Sequence, residues 1–300
     1  MIVIVDNASM LLQNSLSEDA NQATSQSILA EPSPVEKSAR QAWLGACLQV
    51  GFSYFITHAD KPIADDIVTK YREGIAKLEQ GVPLAYVIGR QGFWRHEFRV
   101  NQYTLIPRPD TETLVETVLN LAKNRFNLAH SLRLLDLGTG SGCIAISLAA
   151  EQPNWQVTAT DFSTQALAVA QHNAQQIGTA NVEFYQGSWF QALPDDMPKF
   201  DIIVSNPPYI DSDDEHLPAL TAEPITALVA ANHGLADIEV IVQGGRVRLN
   251  AQGLLAIEHG YDQGDAVQQI FRQYGFTDAT TIKDFGGNDR VTYGFFNQIS

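Results

Sequence analysis

Leu134-Leu-Asp-Leu-Gly-Thr-Gly-Ser-Gly142 is the stretch whose reading decides the fold of this 300-residue chain. A short apolar run ends in three glycines spaced two apart, and Cys143-Ile-Ala-Ile-Ser-Leu148 follows with helix-forming apolar residues. The run predicts a buried strand, a tight turn and a helix start. Glycines in such a turn let a ligand approach the backbone. The helix start adds free N–H groups and partial positive charge.

Two cofactors suit that turn. S-adenosylmethionine can rest its amino-acid end there, and its positive sulfonium gives Asp136 an electrostatic role. The run Gly140-Ser-Gly-Cys-Ile-Ala145 also satisfies G-x-G-x-x-A, the pattern of nicotinamide dinucleotide sites. Asp161 lies 23 residues after Gly138 at the end of a second predicted strand. A carboxylate placed so can accept from both ribose hydroxyls of either cofactor.

Outward from the turn, strand and helix alternate. Strands are predicted at 132–137, 156–160, 182–185, 202–205, 254–258, 280–283 and 291–296, with helices at 143–150, 164–177, 236–249 and 266–274. That alternation implies a doubly wound, mostly parallel sheet of seven strands in the Rossmann-like α/β class. The last two strands have no helix between them, so one of them is expected to run antiparallel.

Asp201-Ile-Ile-Val-Ser-Asn-Pro-Pro-Tyr209 separates the two cofactor classes. Ligands bind at the carboxyl ends of strands in such sheets, and this apolar strand ends in Asn206-Pro207-Pro208-Tyr209. A planar –NH2 on a carbonyl or an aromatic ring is a poor nucleophile because its lone pair is delocalised. The Asn206 side-chain oxygen and the Pro207 backbone oxygen can each accept one of its two N–H bonds. This favours a more tetrahedral nitrogen. Two prolines stiffen the turn, and the Tyr209 ring can stack on the planar group. No strong general base is required, because a sulfonium methyl is already activated; alignment then supplies most of the rate, up to about 7–11 kcal/mol. The bland alternative is a strand-ending Pro-Pro turn with a half-buried tyrosine. Its coupling to the glycine turn at the same sheet edge argues against that.

Upstream, apolar spacing over 39–48 and 64–80 predicts two helices, with Pro62 near the start of the second and Gly81 just after its end. Residues 14–38 are rich in Ser, Gln, Asn, Ala and Glu and read as flexible. Phe93, Trp94, Phe98 and Val100 alternate with polar residues, which predicts a β-hairpin or extended linker. Pro107-Arg-Pro-Asp-Thr-Glu112 leads into a further helix, with Asp110 or Thr111 as its N-cap. The expected organisation is a small helical domain over 1–90, a hairpin linker over 91–109 and a methyltransferase domain over 110–300.

Composition narrows the function. The formal net charge is −15, which speaks against a large nucleic-acid surface and for a small-molecule or protein substrate. Cys47 and Cys143 form no C-x-x-C pair, and the seven histidines show no metal-ligand spacing, so no metal is expected. Met1-Ile-Val-Ile-Val5 meets Asp6 too early for a signal peptide, and no apolar run is long enough to span a bilayer. A cytoplasmic protein without a membrane partner is the expectation.

On these residues the chain resembles the bacterial peptide chain release factor N5-glutamine methyltransferases. The likeness runs from about Ala39 to the C-terminus. It is carried by Gly81-Val-Pro-Leu-Ala-Tyr86, Phe93-Trp94, Leu105-Ile-Pro-Arg-Pro-Asp-Thr-Glu112, the glycine turn, Gly187-Ser-Trp-Phe190, Asn206-Pro-Pro-Tyr209, Glu258-His-Gly-Tyr261 and Asp289-Arg-Val291. The 105–112 string is the most family-specific. Asn-Pro-Pro-Tyr is shared with adenine and other nitrogen methyltransferases, which leaves an enzyme acting on adenine in DNA or RNA as the alternative.

The resemblance implies S-adenosylmethionine as cofactor and, as substrate, the glutamine in the Gly-Gly-Gln loop of class 1 release factors, with no direct nucleic-acid partner. It implies that Gly138, Thr139, Gly140, Ser141, Gly142 and Asp161 bind the cofactor, with Trp189 beside the adenine. Asn206 would touch both cofactor and substrate amide; Pro207, Pro208 and Tyr209 would complete the glutamine pocket. The helical N-terminal region would help dock the release factor. Arg108, Glu112 and Glu258 stay open between active-site and bracing roles, and Asp211-Ser-Asp-Asp-Glu-His216 reads as a solvated loop.

Overall fold

The computed structural model describes residues 22–127, 130–214, 217 and 222–297. They fall into two compact units that divide between Ile88 and Gly89.

The N-terminal unit is helical. Its helices are α1 (Ser25–Ala30), α2 (Lys37–Leu48), the single turn α3 (Tyr54–Thr57), α4 (Asp65–Glu79) and α5 (Leu84–Ile88). Helix α1 lies inside the stretch read as flexible. Thr24 and Ser27 form a reciprocal capping box that satisfies the first free donors, and Ile28 and Leu29 are buried in the unit's core. Composition misread this stretch because two apolar side chains with a core to enter offset the ordering cost of one short capped helix. Residues 14–21 lie outside the described ones. Helices α2 and α4 meet at Trp43, whose indole N–H donates to the Tyr71 carbonyl at 2.9 Å.

The second unit opens with the antiparallel hairpin β1 (Arg90–Phe93) and β2 (His96–Arg99), and continues with α6 (Glu112–Arg125). Then follow β3 (Arg133–Leu137), α7 (Cys143–Glu151), β4 (Gln156–Asp161), α8 (Thr164–Ile177), β5 (Val182–Gln186), β6 (Phe200–Ser205), α9 (Ala236–Arg248), β7 (Leu249–Glu258), α10 (Gly264–Gln273), β8 (Phe276–Lys283) and β9 (Asp289–Phe296). The seven strands form one sheet in the order β5-β4-β3-β6-β7-β9-β8. All pairs are parallel except those of β9, which runs antiparallel to both neighbours.

Central strands β3 and β6 are almost wholly buried, which their unbroken apolar runs require, since helices cover both faces. Helix α7 is buried over Cys143 to Ala149, a span in which Ser147 is the one polar side chain between apolar ones. The chain winds from β3 to β4 and β5 at one edge, then returns to place β6 on the other side of β3. Leu137 pairs with Ser205 in register, so the two strands end together at this reversal. A crevice opens beyond the carboxyl ends of strands at such a switch point. Among the described residues, no helix is long and apolar enough to cross a membrane.

Candidate active site

Beyond the ends of β3, β4 and β6 lies a cavity of about 290 Å³. Gly138, Thr139, Gly140, Ser141, Asp161, Trp189, Asn206 and Pro208 all line it. Eight of the residues singled out in the sequence thus meet on one wall, although they come from four separate segments.

The glycine turn is held from beneath by backbone bonds. Gly138 and Thr139 donate their N–H groups to the Thr160 carbonyl at 2.9 and 2.8 Å. Asp161 accepts from Gly140 N at 2.8 Å through one oxygen and from Ser163 N at 2.8 Å through the other. These bonds fix the carboxylate and leave each oxygen a further lone pair for a ligand hydroxyl. Burial raises the Asp161 pKa, and the two backbone donors oppose the rise. Asn173 on α8 braces the turn from outside: its amide nitrogen donates to Ser141 O at 2.8 Å, and its oxygen accepts from Arg99 N at 2.8 Å.

Trp189 enters the cavity from the turn after β5. A Cβ added to Gly138 would stand 3.2 Å from the Trp189 ring, so this glycine leaves the indole its place. Asp237 lines the same cavity; burial raises its carboxyl's pKa, and the nearby Trp189 indole opposes the rise. Phe162 completes an aromatic wall; it is 73% exposed, and the sequence reading passed over it. Its signal was its place directly after the acidic strand end.

Asn206 follows β6. Its amide nitrogen donates to Thr111 Oγ1 at 3.3 Å. Thr111 occupies the N-cap position of α6 yet makes no side-chain cap bond; the hydroxyl serves Asn206 instead. Arg108 also lines the cavity and pairs with the buried carboxylate of Glu223, which accepts from Ile106 N at 3.0 Å. Glu223 has no motif around it, and the sequence reading missed it.

Three expected residues do not line the cavity. Gly142 starts α7 at φ +82, where a Cβ would stand 2.6 Å from Ile146. Pro207 is buried. Tyr209 turns its hydroxyl to Glu258 at 3.4 Å, so burial and the nearby carboxylate raise the phenol's pKa. Asp136 is fully buried: one oxygen accepts from Thr139 Oγ1 at 2.6 Å, the other has no partner, and desolvation raises its pKa to about 7. Glu112 accepts from Trp94 N at 2.8 Å and serves the hairpin. In the acidic loop, Glu215 and His216 lie outside the described residues, while Asp211 bonds His233 Nδ1 at 2.8 Å.

The wall therefore offers a glycine turn at a helix start, a positioned carboxylate at the end of β4, aromatic rings at the apolar side and an amide at the end of β6. That set fits a ligand with a zwitterionic amino-acid end, a ribose and a flat base.

Comparison with known proteins agrees with this geometry. Residues 111–237 match the model of the "Methyltransferase small domain" family, and residues 21–89 match that of the "PrmC N-terminal domain". Among solved structures, a methyltransferase from Pyrococcus furiosus is similar with a TM-score of 0.50 at 17% identity, covering 79% of this chain and 100% of that one. The T. thermophilus 16S rRNA N2 G1207 methyltransferase, solved with AdoMet and guanosine, gives 0.51 at 16% identity, over 69% of this chain and 50% of that one. These two likenesses bear on the fold alone.

Sequence relatives go further. The release factor glutamine methyltransferase of Salmonella typhimurium is 42% identical over 82% of this chain and 87% of its own length. That of Francisella tularensis is 46% identical over 82% and 85%. That of Xylella fastidiosa (strain Temecula1) is 40% identical over 87% and 93%. With near-complete coverage on both sides and both units matched, the chain belongs to the release factor glutamine methyltransferase family.

Proposed function

We propose that this protein transfers a methyl group from S-adenosylmethionine to the side-chain amide nitrogen of the glutamine in the Gly-Gly-Gln loop of class 1 release factors. One observation carries the reading: a single cavity joins the glycine turn after β3 to the Asn206–Pro208 end of β6. Family membership supplies the substrate. The reaction belongs in the cytoplasm, where release factors work, and needs neither a nucleic-acid nor a membrane partner.

In this reading Gly138 to Gly142 hold the amino-acid end, Asp161 the ribose, and Trp189 with Phe162 the adenine. Gly142 acts by letting the chain turn into α7. When bound, the cofactor supplies a methyl group on positive sulfur, and the carbon–sulfur electron pair stays on sulfur. The chain's own work is alignment. Asn206 Oδ1 and the Pro207 carbonyl accept the two N–H bonds of the glutamine amide, turning its nitrogen lone pair toward the methyl. Pro208 walls the pocket, and Tyr209 anchors the turn. The surplus proton on the methylated nitrogen leaves to solvent, so no buried base is needed. Positioning of this kind supplies about 7–11 kcal/mol.

The test is incubation with labelled S-adenosylmethionine and a class 1 release factor, beside a variant factor whose Gly-Gly-Gln glutamine is alanine. Label on the first factor alone is expected. Label on DNA or RNA offered in parallel, and on neither factor, would move the assignment to an adenine-type enzyme.

A further inference from the structure

Gln263 stands directly before α10. Its backbone is fixed on both sides: its N–H donates to the Gly260 carbonyl at 3.1 Å, and its own carbonyl accepts from Val267 N at 2.9 Å. The side-chain amide is used at both ends. Nε2 donates to the Tyr209 carbonyl at 3.0 Å and to the His233 carbonyl at 2.9 Å, while Oε1 accepts from Gly260 N at 2.8 Å. Two carbonyls and one N–H leave a single orientation. Reversed, the amide would set its oxygen against both carbonyls and its –NH2 against an N–H.

The three partners belong to three loops. Tyr209 closes the Asn-Pro-Pro-Tyr turn after β6, Gly260 follows the end of β7, and His233 precedes α9. Tyr209 and His233 also bracket the stretch 210–232, which gives Pro224, Thr226 and Ala227 to the cavity wall. One –NH2 therefore fastens the chain where it leaves the substrate turn and where it returns. Backbone bonds of Ile210 with Leu228 and Ala230, at 2.9 and 3.0 Å, begin one residue beyond Tyr209. Pro207 and Pro208 have no N–H with which to anchor the turn. The junction is tight: a Cβ on Gly234 would stand 2.6 Å from Gln263 Nε2 and nearer still to the Tyr209 oxygen.

We propose, building on the glutamine methyltransferase reading, that Gln263 is a positioning residue for methyl transfer: it holds the Tyr209 carbonyl, and so aims the Pro207 carbonyl, two residues earlier, at the substrate N–H. Both prolines have φ locked at about −65°, and a turn with so few free torsions moves as one piece. Two oxygens of like partial charge converge on one nitrogen. Without that donor they repel, and the turn swings. None of the three side-chain bonds reaches the glycine turn after β3 or Asp161. The effect therefore falls on methyl transfer and not on cofactor binding.

The experiment is release-factor methylation at saturating substrates and about pH 8, where a glutamate is ionised, for wild type, Gln263→Met, Gln263→Glu and Gly234→Ala. Methionine keeps the length of the side chain and loses its hydrogen bonds. Glutamate keeps the shape and the acceptor for Gly260 N, but turns a carboxylate toward two carbonyls. Gln263→Met is expected to lower kcat about tenfold with the cofactor KM little changed, and Gln263→Glu to be slower still. Gly234→Ala presses on the same carbonyl and should also lower kcat. A side chain that only filled space would make the isosteric glutamate the milder change. Full kcat in Gln263→Met, a Gln263→Glu enzyme faster than the methionine form, or a cofactor KM that rises as far as kcat falls overturns the proposal. Titration calorimetry with S-adenosylmethionine shows which variants are folded; if Gln263→Glu is not, Gln263→Met and Gly234→Ala decide. Wild-type transfer that tolerates these changes sinks this inference alone. Absence of any wild-type transfer to the release factor would instead sink the functional reading.

Discussion

Ser205 donates its hydroxyl to the Leu137 carbonyl at 2.7 Å, tying the last residues of β6 and β3 together. The glycine turn begins one residue beyond Leu137, and Asn206 one residue beyond Ser205. This buried bond therefore sets the spacing between the cofactor wall and the substrate turn. In a Ser205→Ala protein the carbonyl loses a partner where water cannot replace it. The expected cost is about 1–3 kcal/mol, read as a lower Tm in calorimetry, together with a lower kcat. Unchanged melting would show that the ladder alone holds the strand ends.

Asn206→Ala removes the acceptor proposed for the substrate amide. Methylation of the release factor is expected to fall by about a hundredfold or more in kcat, as for loss of an alignment group. The cofactor KM should move far less, because Asp161 and Trp189 remain. A variant that kept the full rate would take Asn206 out of the chemistry.

Gly138 and Trp189 test the adenine wall as a pair. In Gly138→Ala the new methyl lies 3.2 Å from the indole at a φ of +73, so both the turn and the ring must shift. Trp189→Ala deletes the ring. Each is expected to weaken S-adenosylmethionine binding about tenfold or more by titration calorimetry, the stacking share of which is about 0.5–1.5 kcal/mol. Equal affinity in all three proteins would place the adenine elsewhere.

Gly74 serves the helical unit. A Cβ there would stand 2.1 Å from Trp43 Nε1, and that indole is fixed by its bond to Tyr71 O. Gly74→Ala improves helix propensity yet should destabilise by about 1–3 kcal/mol through overpacking. Denaturant unfolding that showed a gain in stability would mean that Trp43 repacks without cost.

Asp136 gives the protein a pH signature. Its folded pKa, about 7, lies above the value of 3.8 it has when solvated. Between the two the folded state binds more protons, so stability declines as pH rises through that window. Glu258 acts in the same sense, whereas buried His259, with its pKa lowered from 6.5, acts in the opposite one. Comparison with Asp136→Asn cancels the other groups. The Tm difference, variant minus wild type, is expected to grow between about pH 5 and pH 8; a constant difference would mean that Asp136 is not held neutral by burial.

Local pattern made much of this protein legible. Apolar runs of four to six residues separated by amphipathic stretches implied a doubly wound sheet, and the structure has its seven strands. The glycine turn and the Asn206–Tyr209 segment were recognisable because backbone conformation and strand ends leave marks in adjacent residues. Helix α1 was obscured by its polar composition, since its stability comes from a core that lies elsewhere in the chain. Glu223 carried no local mark either, because what its side chain meets depends on segments remote in sequence.

By itself the sequence determined the alternation of strands and helices, the turn that can take a cofactor, and the chemistry suited to an amide nitrogen. Tertiary structure alone decided that Leu137 and Ser205, 68 residues apart, end side by side, that Thr111 meets Asn206 across 95 residues, and that Tyr209 turns to Glu258 instead of lining the cavity. The division has a physical cause. Periodicity and turn chemistry act over a few residues and are written there. Strand order, burial and the pKa of a buried carboxyl arise from what the remote chain brings against each residue, and no local stretch contains that.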